Sequence, residues 1–229
     1  MAAEAQPIIT TLGLSPAGNL HPILPSCTFE GRHGGAELVL VTHGRDARFN
    51  VDAIGTQPAA VTAFAAAPRF NPRLLINAGT AGGFARHGAR IGDIYLSDGP
   101  VNYHHRRIPL GEFDPYGRGS YPSMNSASLA AKLGLKLARL ITGDSLDLCD
   151  ADAKVIESSG GAVKDMEAAA VAYVADLFQI PFLGVKSITD LVDAEHPTAA
   201  QFTKNLDQAV ANLARALPAL VDELDRDVS

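Results

Sequence analysis

The 229-residue sequence is poor in cysteine, in basic clusters and in long apolar runs. Its two cysteines, Cys27 and Cys149, stand far apart. A pair spaced so widely in a chain of this size reads as two reduced thiols of a cytoplasmic protein rather than as a disulfide framework. Lysine and arginine number 19 against 25 acids, a formal net charge of −6. With no basic block, the chain offers no footprint for nucleic acid or for an anionic membrane surface. No apolar stretch approaches membrane-spanning length, and no signal peptide is recognised. Internal repeats and low-complexity linkers are absent too. What is present is an apolar content of 47%, ample for a core. The length suits one α/β domain over residues 1–229.

The stretch that organises the rest is Lys164–Asp193, KDMEAAAVAYVADLFQIPFLGVKSITDLVD. Asp165 is placed to cap a helix, and Glu167 falls in its first turn, where the helix dipole favours a carboxylate. From Ala168 to Leu177 the residues are mostly apolar and small, which predicts a buried helix lying close against a sheet. Gln179–Ile180–Pro181 breaks it. Phe182–Ile188 then reads as a covered strand whose one charge is Lys186. Asp190 follows at the strand's carboxyl end, where open α/β sheets bind ligands. From these features alone, a capping acid and a turn acid are the simpler reading of Glu167 and Asp190.

Met166–Glu167 opening an alanine-rich helix, then an apolar strand ending in Thr189–Asp190, resembles the 5'-methylthioadenosine/S-adenosylhomocysteine nucleosidases of the nucleoside phosphorylase/nucleosidase superfamily. The forms Lys164–Asp165–Met166–Glu167, Lys186 and Thr189–Asp190–Leu191–Val192–Asp193 are most similar to the plant branch. The resemblance covers nearly the whole chain. It implies a single-domain, three-layer α/β fold of the nucleoside phosphorylase type, with a twisted mixed central sheet flanked by helices. It also implies a homodimer, and neither a metal nor a cofactor.

In chain order, Glu4–Leu12 predicts a short helix with Pro7 in its first turn. Met1 and Glu4 match a family methionine and, three residues on, the glutamate that serves as general base. The family's first strand, which precedes them, is missing from this sequence. Its loss would leave sheet edges unpaired, and an internal methionine taken as the start is the favoured explanation. Ser15–Ser26 reads as loop. Thr28–His33 and Glu37–His43 flank Gly34–Gly35 as a hairpin. Gly44–Ile54 reads as a polar loop, with Arg45, Asp46 and Arg48 either solvated or at the rim of a site, and Gly55–Ala67 as a helix. In Arg73–Gly83 a strand, Leu74–Ile76, enters a glycine-rich turn. Its G-x-x-G-G order is not the dinucleotide fingerprint, and its plain reading is a tight connection. The resemblance makes it the turn beneath a ribose, offering Thr80, Ala81 and Gly82. Related phosphorylases carry an arginine for phosphate where this chain has Asn77. Asparagine brings no positive charge to an anion, which favours water as nucleophile.

Ile91–Ser97 reads as a strand and Asp98–Pro100 as a turn. His104 and His105 are adjacent on an extended segment, so they point to opposite faces and make a poor metal pair. Val101–Pro109 is either an exposed basic strand end or, by resemblance, a segment near the dimer contact with Tyr103 and His104 behind the site. Gly111–Asn125 reads as loop, Ser126–Leu133 as a capped helix and Lys136–Thr142 as a strand. Gly143–Asp147 is a turn whose acids Asp144 and Asp147 suit turn capping. In the family this turn lines the adenine pocket, which brings Leu146 and Asp147 to the base. A last helix runs from Ala199 to about Leu224, apolar at the 3.6 period, with Pro218 expected to kink or end it. Asp225–Ser229 reads as a frayed end.

The activity implied is hydrolysis of the N-glycosidic bond of 5'-methylthioadenosine, extending to S-adenosylhomocysteine, in methionine salvage. Asp190 would protonate the leaving adenine. Glu167 would bind the ribose hydroxyls, and Met166 would pack under the sugar beside the Lys164–Asp165 backbone. Glu4 would take a proton from water oriented by Lys186 and Thr80. A phosphorylase, a futalosine-type nucleosidase and a non-catalytic nucleoside-binding protein share the fold and stay open as alternatives.

Overall fold

The computed structural model describes residues 1–226. Along the chain come α1 (Ala2–Leu12), β1 (Ser15–Asn19), β2 (Cys27–His33), β3 (Ala36–Val41), β4 (Arg45–Asp46), β5 (Val51–Asp52) and α2 (Thr56–Phe70). Then follow β6 (Leu75–Gly83), β7 (Ile94–Ser97), β8 (Asn102–Tyr103), α3 (Phe113–Arg118), α4 (Ala127–Leu133), β9 (Lys136–Ala138) and β10 (Leu140–Thr142). The chain continues through α5 (Asp150–Ser159), β11 (Val163–Asp165), α6 (Ala168–Leu177), β12 (Phe182–Leu191) and α7 (Thr198–Arg226).

A seven-stranded mixed sheet in the order β8-β10-β11-β6-β12-β7-β9 forms the middle layer. β6 and β12 pair in parallel from Leu75 and Phe182 onward, whereas β11 meets β6 antiparallel only at Gly82 and Gly83. The alanine-rich α6 packs with α2 on one face, where Ala168, Ala169 and Ala172 are fully buried. Side chains this small let a helix sit close to the sheet. α1, α4 and α7 cover the other face around Leu183, Leu213 and Leu220. The result is the three-layer α/β architecture expected from the sequence.

Several local expectations change. Ser15–Asn19 is a strand rather than loop, tolerated at an edge because Pro16 needs no ladder donor there. The glycine-rich segment continues β6 to Gly83 instead of turning, so its glycines are extended backbone beneath the cavity. The strand expected over Lys136–Thr142 divides at Arg139: β9 pairs with β7 at the sheet's end, and β10 pairs with β8 and β11. Pro7 lies in the helix interior, and α7 runs through Pro218 to Arg226. Asp225 and Arg226 are therefore helical, while the remainder of the expected frayed end, residues 227–229, lies outside the described residues. Tyr103 and His104 are buried, while Arg107 farther along the same segment is exposed.

β1, β2 and β3 form a separate antiparallel sheet in which β3 pairs only with β2. The second edge of β3 and the Leu75–Ala81 edge of β6 therefore carry no strand partner among the described residues. Leu38–Val41 and Ile76–Ala81 line one cavity between them. The backbone N–H of Thr80 is not left orphaned there, because it donates to Glu4 Oε1 at 2.7 Å.

The α7 contact dominates the core on its face. Leu213 is fully buried, so Leu213→Ala is expected to lower unfolding stability by about 2–5 kcal/mol through lost burial and a residual void. Urea denaturation measures it, and a loss well under 1 kcal/mol (roughly the cost of an exposed site) would show that α7 is not packed as described.

Candidate active site

A cavity of about 400 Å³ opens between β3, α1, the central strands β6 and β12, and the β11–α6 junction. That volume falls in the range of small-molecule sites. Glu4, Thr80, Ala81, Gly82, Leu146, Lys164, Asp165, Met166, Glu167, Lys186 and Asp190 all line it. Asp147 does not. It is exposed and belongs to a neighbouring cleft with Glu195 and His196, which shares Leu146 and Val192 with the main cavity.

The β11–α6 junction is built around a buried ion pair. Lys186 Nζ on β12 lies 2.7 Å from Asp165 Oδ2 at the end of β11. Asp165 also accepts hydrogen bonds from Thr142 Oγ1 at 2.5 Å and from the Ala168 amide at 2.8 Å. The carboxylate thus caps α6, as its sequence position predicted. Burial alone would lower the Lys186 ammonium, but Asp165, Glu167 and Glu4 outweigh it and its pKa ends up raised.

Glu167 precedes α6 and accepts the Gly55 amide at 2.8 Å. Gly55 has φ 94°, backbone that a side chain would strain, and it opens α2. Asp144 fixes the same corner by accepting the Thr56 amide and hydroxyl, each at 2.6 Å. Burial and then Asp165 push the Glu167 carboxyl up, against Lys186 and the Gly55 amide.

Two further carboxyls face the cavity in opposite environments. Glu4 Oε1 accepts both the amide and the hydroxyl of Thr80 at 2.7 Å, and its Oε2 lies 2.6 Å from the Met1 α-ammonium. Burial acts to raise its pKa, yet the ammonium and the Thr80 hydrogen bonds prevail and lower it. Asp190 behaves the other way: burial raises its pKa, only partly countered by Thr189 and Lys164. Thr189 Oγ1 lies 2.7 Å from Asp190 Oδ1.

The aim of Asp190 depends on strand register. β12 slips by one residue against β6 between Ile188 and Asp190, setting Asp190 opposite Gly82. Such a bulge re-aims a side chain. A Cβ on Gly82 would come within 2.7 Å of Asp190 Oδ2 and 2.5 Å of Val192 Cγ2, so glycine is required for the carboxyl to lie there. Thr80 beside Glu4 and Gly82 beside Asp190 are two residues apart on β6, about 7 Å along the strand.

His43 is a lining residue that sequence reasoning treated only as a strand end. It sits in the same cavity with Nδ1 3.3 Å from the Ala53 carbonyl, and burial, then the Met1 ammonium, lower its pKa. Its place after a strand that runs into the site was the available signal. His104, at the back of the 143–147 turn, is fully buried against Gly143, with Nδ1 3.3 Å from Asp152 Oδ2. Burial and then Lys164 pull its pKa down to about 4, leaving a neutral ring near neutral pH.

Lys186→Met would leave Asp165 as an uncompensated buried charge and is expected to cost about 3–5 kcal/mol. In the unsubstituted protein the Lys186 contribution is fully present below the unfolded-state lysine pKa, about 10.4. It is lost as pH climbs through the higher folded value. Urea midpoints across the alkaline range test both statements, and a variant with unchanged stability and pH dependence would contradict them.

A sequence profile described as the Phosphorylase superfamily matches residues 2–222. A 5'-methylthioadenosine nucleosidase from Arabidopsis thaliana is 44% identical over 215 residues, 93% of this chain and 80% of that protein. A 5'-methylthioadenosine/S-adenosylhomocysteine nucleosidase from the same plant is 40% identical over 225 residues, 97% of this chain and 88% of that protein. A bacterial counterpart from Maridesulfovibrio salexigens is 32% identical, with 85% of each chain covered. The solved apo structure of an Arabidopsis 5'-methylthioadenosine nucleosidase superposes with a TM-score of 0.95 at 41% identity, covering 98% of this chain and 93% of that one. A futalosine hydrolase of Helicobacter pylori, at 21% identity and a TM-score of 0.80, shares the fold. The chain belongs to the phosphorylase superfamily and, within it, to the 5'-methylthioadenosine/S-adenosylhomocysteine nucleosidase family.

Proposed function

We propose that this protein hydrolyses the N-glycosidic bond of 5'-methylthioadenosine to adenine and the 5-thio-ribose, in methionine salvage, with S-adenosylhomocysteine as the second substrate to test. The observation that carries the reading is one cavity lined by two carboxyls in different settings: Glu4, which accepts two hydrogen bonds from Thr80, and Asp190, which burial pushes toward its neutral form. Divergent carboxyl environments are how a single site supplies both an acid and a base.

Adenine is a poor leaving group as an anion. Asp190, which burial holds protonated to a higher pH than usual, donates its proton to the purine N7 as the C1'–N9 bond breaks. The bonding pair leaves with the base. Positive charge spreads over the ribose C1'–O4' unit, and Glu167 stabilises it while accepting from the ribose hydroxyls. The influence is mutual: the cationic sugar favours the ionised form of a carboxyl that burial otherwise pushes up. Met166 packs under the sugar. Water forms the new bond to C1' and gives its proton to Glu4, with Thr80 and Lys186 orienting the pair. Asn77 lines the cavity and, among the described residues, no arginine does. A phosphate dianion would therefore lack the bidentate cation it needs, which supports water over phosphorolysis. Asp147 would reach the adenine exocyclic amine only from the neighbouring cleft, across Leu146.

The assembly proposed is a cytoplasmic homodimer. Its support is an apolar outer face on α2 and α6, where Phe64 is 56% and Leu177 55% exposed beside Val61 and Tyr173. Clustered exposed apolar side chains of this kind mark interaction surfaces. Sedimentation analysis is expected to give a dimer, with Phe64→Glu shifted toward monomer. A monomeric parent protein would remove the proposal.

Adenine release from 5'-methylthioadenosine is expected without added phosphate, and a strict phosphate requirement would make the protein a phosphorylase. Asp190→Asn is expected to lower turnover by about 10²–10⁴-fold while retaining substrate affinity. In the parent protein kcat/KM should fall as pH rises through the raised Asp190 value, since the acid form is the active one. That limb should be missing in Asp190→Asn. Undiminished turnover in the variant would take Asp190 out of the acid role.

A further inference from the structure

Lys164 is buried and is one of the residues that line the cavity. Its ammonium donates to the Ser145 carbonyl and, at 3.2 Å, to the Leu146 carbonyl. Both belong to the turn between β10 and α5, one wall of the cavity. Register brings the same residue to the proposed acid. Across β6, Lys164 pairs with Gly82, and Gly82 pairs with Asp190. The two strands that flank β6 thus present a cation and an acid on either side of a residue with no side chain to separate them.

We propose that Lys164 is a positioning residue with two joined tasks: it fastens the Ser145–Leu146 turn over the Asp190 end of the cavity, and it is the counter-ion for the carboxylate that Asp190 becomes on giving up its proton. The inference rests on the hydrolase reading above. Proton donation from a buried acid creates a buried anion, which is costly without a cation. The charged and titratable groups acting on Lys164 are Asp190 on β12, Asp165 beside it on β11, Asp147 on the turn and Asp152 on α5, with His104 after β8. Asp165 is held by Lys186 and Asp152 by Arg107. His104 is neutral in the working range, and Asp147 is exposed. Asp190 is the buried carboxyl left for Lys164. The other cavity lysine, Lys186, is committed to Asp165. Burial lowers the Lys164 ammonium, and Asp190 leads the carboxylates pulling it back up.

The test is the titration of the Asp190 carboxyl by NMR on aspartate-labelled protein, its signal assigned by its loss in Asp190→Asn. In Lys164→Met the midpoint should rise by about one unit or more, the scale on which a nearby charge moves a carboxyl. The basic limb of kcat/KM should move with it, and KM should rise because the turn is unmoored. Lys164→Arg should return the midpoint toward the parent value. Lys164→Gln is the second neutral variant, should methionine at this buried position prevent folding. A folded neutral variant with an unshifted midpoint overturns the counter-ion, even if its activity falls at every pH. Shifted midpoints in a parent protein that releases no adenine would uphold the Lys164–Asp190 pairing and sink the hydrolase reading instead.

Discussion

The contact between Lys186 and Asp165 governs the arrangement of the site. Burying both charges is tolerable because they meet at 2.7 Å and because Thr142 and the Ala168 amide occupy the remaining carboxylate positions. One carboxylate therefore joins three parts of the fold. It fixes β12 through Lys186, β10 through Thr142, and the first turn of α6 through its capping bond. Glu167 and Met166 lie between the cap and the helix it caps, so their placement follows from this junction. A helix start floating by even an ångström would carry Glu167 away from Gly55 and with it the corner where α2 begins.

Around this fixed centre the cavity divides its acids by environment rather than by residue type. Glu4 accepts two hydrogen bonds from Thr80 and is held ionised, whereas Asp190 has one hydroxyl partner and Lys164 across Gly82, and burial still holds it toward its neutral form. Glu167 lies between these extremes, pulled by Lys186 and pushed by burial. The same principle separates the two lysines. Lys186 is saturated by a carboxylate, but Lys164 spends its hydrogen bonds on uncharged carbonyls and so keeps its charge available. The arrangement suits chemistry in which charge appears on the sugar and leaves from an acid within one turnover.

Most of the site was legible because it sits on a contiguous signal. Asp165, Met166, Glu167, Lys186 and Asp190 fall within 26 residues (165–190) of cap, buried helix and buried strand, whose local preferences and burial agree. The layers were legible for the same reason. What escaped reading was set by tertiary partners. The glycines of β6 look like a turn in sequence, but β12 provides a ladder that keeps them extended. Arg139 divides a continuous-looking strand because β9 and β10 pair at distant places in the sheet. Asp147, which the resemblance alone places at the purine, lines the adjoining cleft. His43 had only its place after a strand as a signal, and that strand's approach to the site is set by the fold, while β11, only three residues long, is too short for a periodic signal.

The register slip in β12 has a consequence for how this chain can vary. Asp190 faces Gly82 only because one extra residue is accommodated between Ile188 and Asp190. The direction of the acid is thus encoded by a residue count, not by the identity of the intervening side chain. Neighbouring positions can drift among residues of similar bulk, but an insertion or deletion in this short interval rotates the carboxyl away from the cavity in a single step. On this buried strand, chain length is thus constrained independently of side-chain type.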